Sequence, residues 1–231
     1  MNQFPEHINF TLQERQHQWT AGEIPVMNAA MTLPVFESEQ KSRITGRMNR
    51  YYRQCARSFL SYCSHYLYPQ ALAELNSALQ TGAPFSAAEA KLCCTVTCNQ
   101  NHVLSLYTDC TEHAATRNAL TLRRSDTWDL SSGAPISAQE CFPKGTHIRK
   151  VCLAAAAEHC AGQAAAGTAV YAKDLRHRLR RYLNLRNFYL SDAGFYFFYQ
   201  PYAIAPAFEG CPTFFLPFSA KTGPILPANQ L

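Results

Sequence analysis

Residues 187–218, NFYLSDAGFYFFYQPYAIAPAFEGCPTFFLPF, alternate short apolar runs with turn residues. NFYL (187–190), FYFFY (195–199) and TFFLPF (213–218) are rich in aromatic side chains that suit a pleated surface. SDAG (191–194) breaks the first run from the second, and a proline-containing link separates the second from the third. Three strands at the C-terminal end follow. Within FYFFY, Phe195, Phe197 and Tyr199 alternate against Tyr196 and Phe198, a pattern that packing between a sheet and helices explains without a ligand.

Upstream of the strands the period changes. In YAKDLRHRLRRYLNL (171–185), Tyr171, Leu175, Leu179, Tyr182 and Leu183 fall on one helical face. Gly167 separates this helix from the alanine-rich stretch THIRKVCLAAAAEHCAGQAAAG (146–167). Before them ALTLRRSDTWDL (119–130) reads as a strand closed by the turn Ser131-Ser132-Gly133. KLCCTVTC (91–98) and HVLSLYTD (102–109) alternate with period two around Asn99-Gln100-Asn101, a hairpin. The polar stretch CTEHAATRN (110–118) that follows reads as a loop.

The first third contains a short β-type run, MTLPVF (31–36), and then a long amphipathic helix from near Ser42. Ile44, Met48, Tyr51, Tyr52, Cys55, Phe59, Tyr62 and Tyr66 share one face, while Arg43, Arg47, Arg50, Arg53 and Arg57 gather on the other. Pro69 is a candidate break, QALAELNSALQ (70–80) continues the helix, and Gly82 with Pro84 ends it. Helices and strands are segregated along the chain, so the expected fold class is α+β, with antiparallel sheets packed by a few helices. The expected organisation is two consecutive parts, a helix-plus-hairpin subdomain over 25–115 and an α+β subdomain over 116–231.

Composition bounds what such a chain does. The 231 residues are 47% hydrophobic and 16% charged, which supports a packed core and excludes pervasive disorder. No apolar run reaches the roughly 18–20 residues of a membrane span. The opening residues have neither the basic nor the apolar region of a signal peptide. A cytoplasmic protein is therefore expected if Met1 is the native start, and an extracytoplasmic one if an anchor has been removed. The 10 cysteines fall below the ~8–10% of a disulfide scaffold, and reduced thiols are expected.

The net charge of +5 is local. Residues 41–57 hold six basic side chains and no acid, and residues 173–186 hold six against Asp174. The remainder carries 9 basic and 15 acidic residues, a net of −6.

Several segments, in order, resemble a domain family of poorly defined function. Phe188 to Gly194 resembles its strand with an Asp-Ala-Gly turn, followed by the aromatic strand, Pro-Tyr-x-Ile-Ala-Pro (201–206), Glu209-Gly210 and a strand ending in Pro217-Phe218. TWDLSSGAPISAQECF (127–142) and LPVFESEQKSRITGRMNRYYRQCARSF (33–59) resemble its middle segment and its opening strand and helix. The family supplies the extracytoplasmic part of the lysozyme-sensing anti-sigma factor RsiV and the N-terminal region of the peptidoglycan deacetylase PdaC. The resemblance implies a binding or sensing domain whose partner is another protein or a cell-wall-type ligand. One departure stands out. Members carry a Gly-Gly-Ala-His-Gly-type loop where this chain has Cys110 to Asn118 without a glycine. Lysozyme binding is not expected, because lysozyme is basic, this chain is net positive, and that loop is missing.

Candidate chemistry is sparse. GxSxG, HExxH, GxxxxGK[ST] and GxGxxG are absent from the sequence. Asp109, Glu112, His113 and Arg117 gather in the polar stretch after the hairpin, and form the candidate ligand-binding set. A hydrolase or metal-dependent enzyme using a 109–113 loop is the alternative function. Cys94, Cys98 and His102 are the metal candidates. Their CCxxxCxxxH spacing across a strand pair departs from the CxxC knuckle, so no metal and no cofactor are expected. The basic patch Arg43, Arg47, Arg50, Arg57, Arg176 and Arg180 allows nucleic-acid binding as a third function, although a solvated helix face explains the same residues. The reading carried forward is a non-enzymatic binding domain, with no membrane association.

Overall fold

The computed structural model describes residues 6–37, 43–114, 117–219 and 223–227, with side chains outside that description at 114, 117 and 118. Strands β1 (Asn9–Ala21), β2 (Ile24–Glu37), β3 (Ala88–Gln100), β4 (Val103–Ala114), β5 (Arg117–Asp129) and β6 (Ala134–Pro135) form a six-stranded sheet in sequence order. A second sheet orders β7 (Phe188–Leu190), β8 (Gly194–Phe198) and β9 (Thr213–Pro217). Helices α1 (Arg43–Tyr62) and α2 (Tyr68–Thr81) lie between β2 and β3, and α3 (Ile148–Ala166) and α4 (Leu175–Tyr182) precede β7. The α+β class is as expected, but one pairing is not antiparallel. β2 and β3 run parallel, from Met27 opposite Ala88 to Thr32 opposite Cys93. The physical reason is the connection between them. Two helices are long enough to return the chain to the end where β2 began, which a hairpin turn cannot do.

The chain forms two units that interleave in sequence. One takes residues 9–94 and 108–121, and the other takes the residues up to Ile8, 95–107 and everything from Leu122. The expected consecutive blocks 25–115 and 116–231 differ from this, because β3, β4 and β5 each contribute residues to both units.

In the unit containing α1, the β2 side chains Met27, Ala29, Met31 and Leu33 are buried, as are Met48, Tyr52, Phe59 and Cys63 of the helical layer, and α1 packs against β2. Each large apolar side chain removed from water in this way contributes about 1.5–3 kcal/mol. Asn49 anchors the start of α1, accepting from the Phe36 amide and donating to the Phe36 carbonyl, both at 2.9 Å. The helix does not stop at Pro69. A five-residue π-helical turn, Cys63–Leu67, joins α1 to α2, and Pro69 sits in the first turn of α2, where a missing N–H costs little. Tyr66, expected on the apolar stripe, is consequently 62% exposed. β1, at the sheet edge, is exposed along nearly its whole length.

In the other unit, Ile148, Cys152, Ala156 and Cys160 make the buried stripe of α3. Phe195, Phe197 and Tyr199 face it from the aromatic strand, all within 1% of full burial. β7 is held by hydroxyls. Ser105 Oγ accepts from the Leu190 amide at 2.8 Å and lies 2.8 Å from Thr127 Oγ1, while Thr97 Oγ1 donates to the Leu190 carbonyl at 2.6 Å. Ser105 and Thr127 are buried polar residues, and this network satisfies them. Gly194 pairs with Pro217 across β8 and β9, and a Cβ there would lie 2.3 Å from the Leu216 carbonyl oxygen. The glycine of the Asp-Ala-Gly turn is thus required by close approach of two backbones. All ten cysteines are free thiols and only Cys93 is exposed. No described helix is long and apolar enough to cross a membrane.

Candidate functional site

The residues 109–113 lie on strand β4, not in a loop. The polar stretch is strand because β4 is hydrogen-bonded to β5 in the sheet, so the ladder rather than apolar alternation sustains it. On a strand, neighbours point to opposite faces. Glu112 faces the helical layer, where the Tyr62 hydroxyl donates to its carboxylate. Burial, then that bond and the nearby negative charge, push the Tyr62 phenol up to about 12. The neighbouring Cys63 thiol is also pushed up to about 12, chiefly by burial, with Cys110 and Glu112 adding to it. Asp109 and His113 take the opposite face of β4, and His113 is exposed. Glu112 and His113 are therefore not brought together as an acid–base pair, and the Arg117 side chain lies outside the described residues.

The metal candidates are also dispersed. Cys94 and Cys98 are both buried on β3, four residues apart. At about 3.3 Å per residue that is about 13 Å, whereas two thiolates on one zinc, each about 2.3 Å from the metal, sit within about 4.6 Å of each other. His102 occupies the hairpin turn, where Asn101 and His102 have φ of 49° and 61°. This two-residue turn with both φ positive has the I′ character that matches strand twist, one step beyond the expected 99–101. Among the described residues no three His, Cys, Asp or Glu side chains cluster as metal ligands do.

The basic residues divide between the units. Arg43, Arg47, Arg50, Arg53 and Arg57 are all exposed on α1. Arg176 and Arg180 belong to something more concave. They line one wall of a cleft of about 910 Å³ between α3 and α4. The other wall is the first turn of α3, with His147 at the N-cap and Arg149 and Lys150 behind it. Leu153, Ala157, Leu179 and Leu185 supply apolar surface, and among the described residues no carboxylate lines the cleft.

Local geometry explains how the walls are fixed. Arg149 donates to the carbonyls of Leu183, at 3.3 Å, and Arg180, satisfying acceptors at the C-terminal end of α4. Tyr199, buried beneath, donates from its hydroxyl to the Leu179 carbonyl at 3.0 Å. At the other end Arg178 bonds Asp174 at 2.7 Å and reaches the carbonyls of Tyr202 and Ala203. That bond is the first of several influences holding the exposed Asp174 carboxyl below its usual range. With α4 so pinned, Lys150, Arg176 and Arg180 have no ion-pair partner among the described residues.

Two features of the walls work against helix stability, although Arg180 in the last turn of α4 is favourably placed for the helix dipole. Acids favour the N-terminal turn of a helix and cations disfavour it by about 0.3–1 kcal/mol each, yet α3 opens with Arg149-Lys150 and no acid. Arg176 and Arg180 are four apart on α4, a like-charge spacing that costs about 0.2–0.5 kcal/mol. A bound anion would relieve all of these. Sequence reading found Arg176 and Arg180 by charge density and missed His147, Arg149 and Lys150. Their signal was His-x-Arg-Lys at a helix start, where acids are the norm.

Comparison with known proteins adds fold and no ligand. No curated protein matches the chain in sequence. A crystal structure of a DUF3298 family member from Bacteroides fragilis NCTC 9343 matches with a TM-score of 0.67 at 13% identity, covering 91% of this chain and 90% of that one. A DUF3298 family protein from Pseudomonas aeruginosa PAO1 matches with a TM-score of 0.58 at 15% identity, covering 96% and 95%. Residues 169–219, from the approach to α4 through β9, match the sequence pattern of the family described as "Protein of unknown function (DUF3298)", and the chain has a fold like that of solved proteins of that family.

Proposed function

We propose that this chain is a non-enzymatic binding domain of the kind found in RsiV and PdaC, and that it holds an anionic group of its partner in the cleft between α3 and α4. One observation carries the reading. Lys150, Arg176 and Arg180 line a cleft with no carboxylate among the described residues, beside the first turn of α3, whose cations are unfavourable there until an anion arrives. The partner expected is a protein or a cell-wall-type polymer bearing phosphate or carboxylate groups.

Thermal melting and calorimetry with inorganic phosphate and tripolyphosphate test this. Tripolyphosphate should raise the melting temperature, through ligand binding to the folded state alone. The effect should fall as sodium chloride is raised, because the cleft is open to screening. The triple variant Lys150→Gln, Arg176→Gln, Arg180→Gln should lose the response while keeping its fold. An equal response in that variant, or none in the wild type, rejects the reading.

A further inference from the structure

The unit that contains α1 has a cavity of its own, of about 330 Å³, between the β1–β2 hairpin and α1. Its size is at the lower end of small-molecule sites, about 300–1,000 Å³. Three buried side chains make the floor: Met31 and Leu33 from β2 and Tyr52 from α1. Gly46 forms part of the helical wall, and a Cβ placed on it would meet no atom within 4 Å. The missing side chain is therefore space that the packing of α1 leaves open.

The rim is cationic. In the β1–β2 ladder Arg15 stands opposite Met31, so its side chain lies on the same face as the buried methionine. Arg53 faces it from α1. Each guanidinium spends one donor internally, Arg15 on the Gln13 side chain at 3.3 Å and Arg53 on the Asn49 carbonyl at 3.1 Å. Among the described residues neither has a carboxylate partner and no carboxylate lines the cavity. A guanidinium has five donors, so both forks retain the capacity to take a carboxylate.

We infer that this cavity is a binding site for a small amphiphilic carboxylate, with its apolar body on Met31, Leu33 and Tyr52 and its carboxylate between Arg15 and Arg53. Apolar floor and paired cations at one mouth are the two halves that such a ligand needs, and a purely apolar or a purely ionic molecule would use only one of them. The site is independent of the cleft between α3 and α4, and neither depends on the other being occupied.

The test uses octanoate and octan-1-ol, titrated calorimetrically into the whole chain. Octanoate should bind saturably with one site per chain. The double variant Arg15→Gln, Arg53→Gln should weaken octanoate at least tenfold and leave octan-1-ol within twofold, which separates loss of the ionic contact from loss of the cavity. Gly46→Leu should fill the space and abolish binding of both. That variant should melt no lower than the wild type, since glycine is a poor helix former and a Cβ at this position meets no atom within 4 Å. Absence of saturable octanoate binding overturns the assignment. So does wild-type affinity in Gly46→Leu, or an equal loss of acid and alcohol in the arginine variant.

Discussion

Replacing Ser105 by alanine isolates the buried hydroxyl network that holds β7. The change removes one oxygen and leaves the strand backbone as it is. Its acceptor serves the Leu190 amide at 2.8 Å, and Leu190 is fully buried, so that amide has no water to turn to. Removing the acceptor leaves a buried donor unpaired, which costs about 1–3 kcal/mol, more than the roughly 1 kcal/mol net worth of an ordinary hydrogen bond. Thr127, 2.8 Å away and also buried, loses its partner in the same step. Urea unfolding at neutral pH should show the loss as a lower midpoint with unchanged slope. The double variant Ser105→Ala, Thr127→Val should cost less than the two single changes added together, because each single change strands the other hydroxyl. A coupling of about 0.5 kcal/mol or more is expected for residues in one network. A loss below about 0.5 kcal/mol for Ser105→Ala, of the size seen at ordinary surface positions, would mean that the Leu190 amide finds another acceptor and that the network reasoning is wrong.

Gly194→Ala should destabilise by about 3 kcal/mol, at the upper end of overpacking costs, since the nearest obstacle is backbone at 2.3 Å and cannot rotate aside; a thermal melt within 1 °C of wild type would contradict this. Burial alone would raise the Asp129 carboxyl, but hydrogen bonds from Ser131 and Ser132 together outweigh it and hold the group below its ordinary 3.8. A depressed carboxylate adds stability that is present above its unfolded value and is lost as pH falls through its folded one. Asp129→Asn should therefore flatten the fall in urea stability between pH 5 and pH 2, and an unchanged acid limb would refute the assignment.

How much of this was legible depends on what each residue had to bury. The aromatic strands at 188–190, 194–198 and 213–217 could be read because both chemistry and period pointed one way. The same holds for the alternating hairpin and for α3. β1 could not be read. NFTLQERQHQWTA has no period of two, because an edge strand exposed on both sides has no face to keep apolar. β2 was seen only as 31–36, because Pro25 and Pro34 break the pattern and its buried positions include small residues such as Ala29. Its parallel partner lies across two helices, at a separation over which local pattern carries no information. The candidate cleft was half legible, its α4 wall declared by a run of arginines and its α3 wall hidden among helix formers. The cavity on α1 depends on a missing side chain, Gly46, and on a strand that was not recognised.

The π-helical turn between α1 and α2 has a bearing on chain length. Met48, Tyr52, Phe59 and Cys63 follow spacings of four and seven, and a regular helix would next bring residue 70 inward. The residues that point inward are Ala71 and Leu75, one position late. The wide turn has absorbed a surplus residue and returned the helix to phase. Deleting one residue within 63–67 should therefore leave an unbroken α-helix through the join that presents the same side chains to the core, so a helix can change length at this point without disturbing its packing.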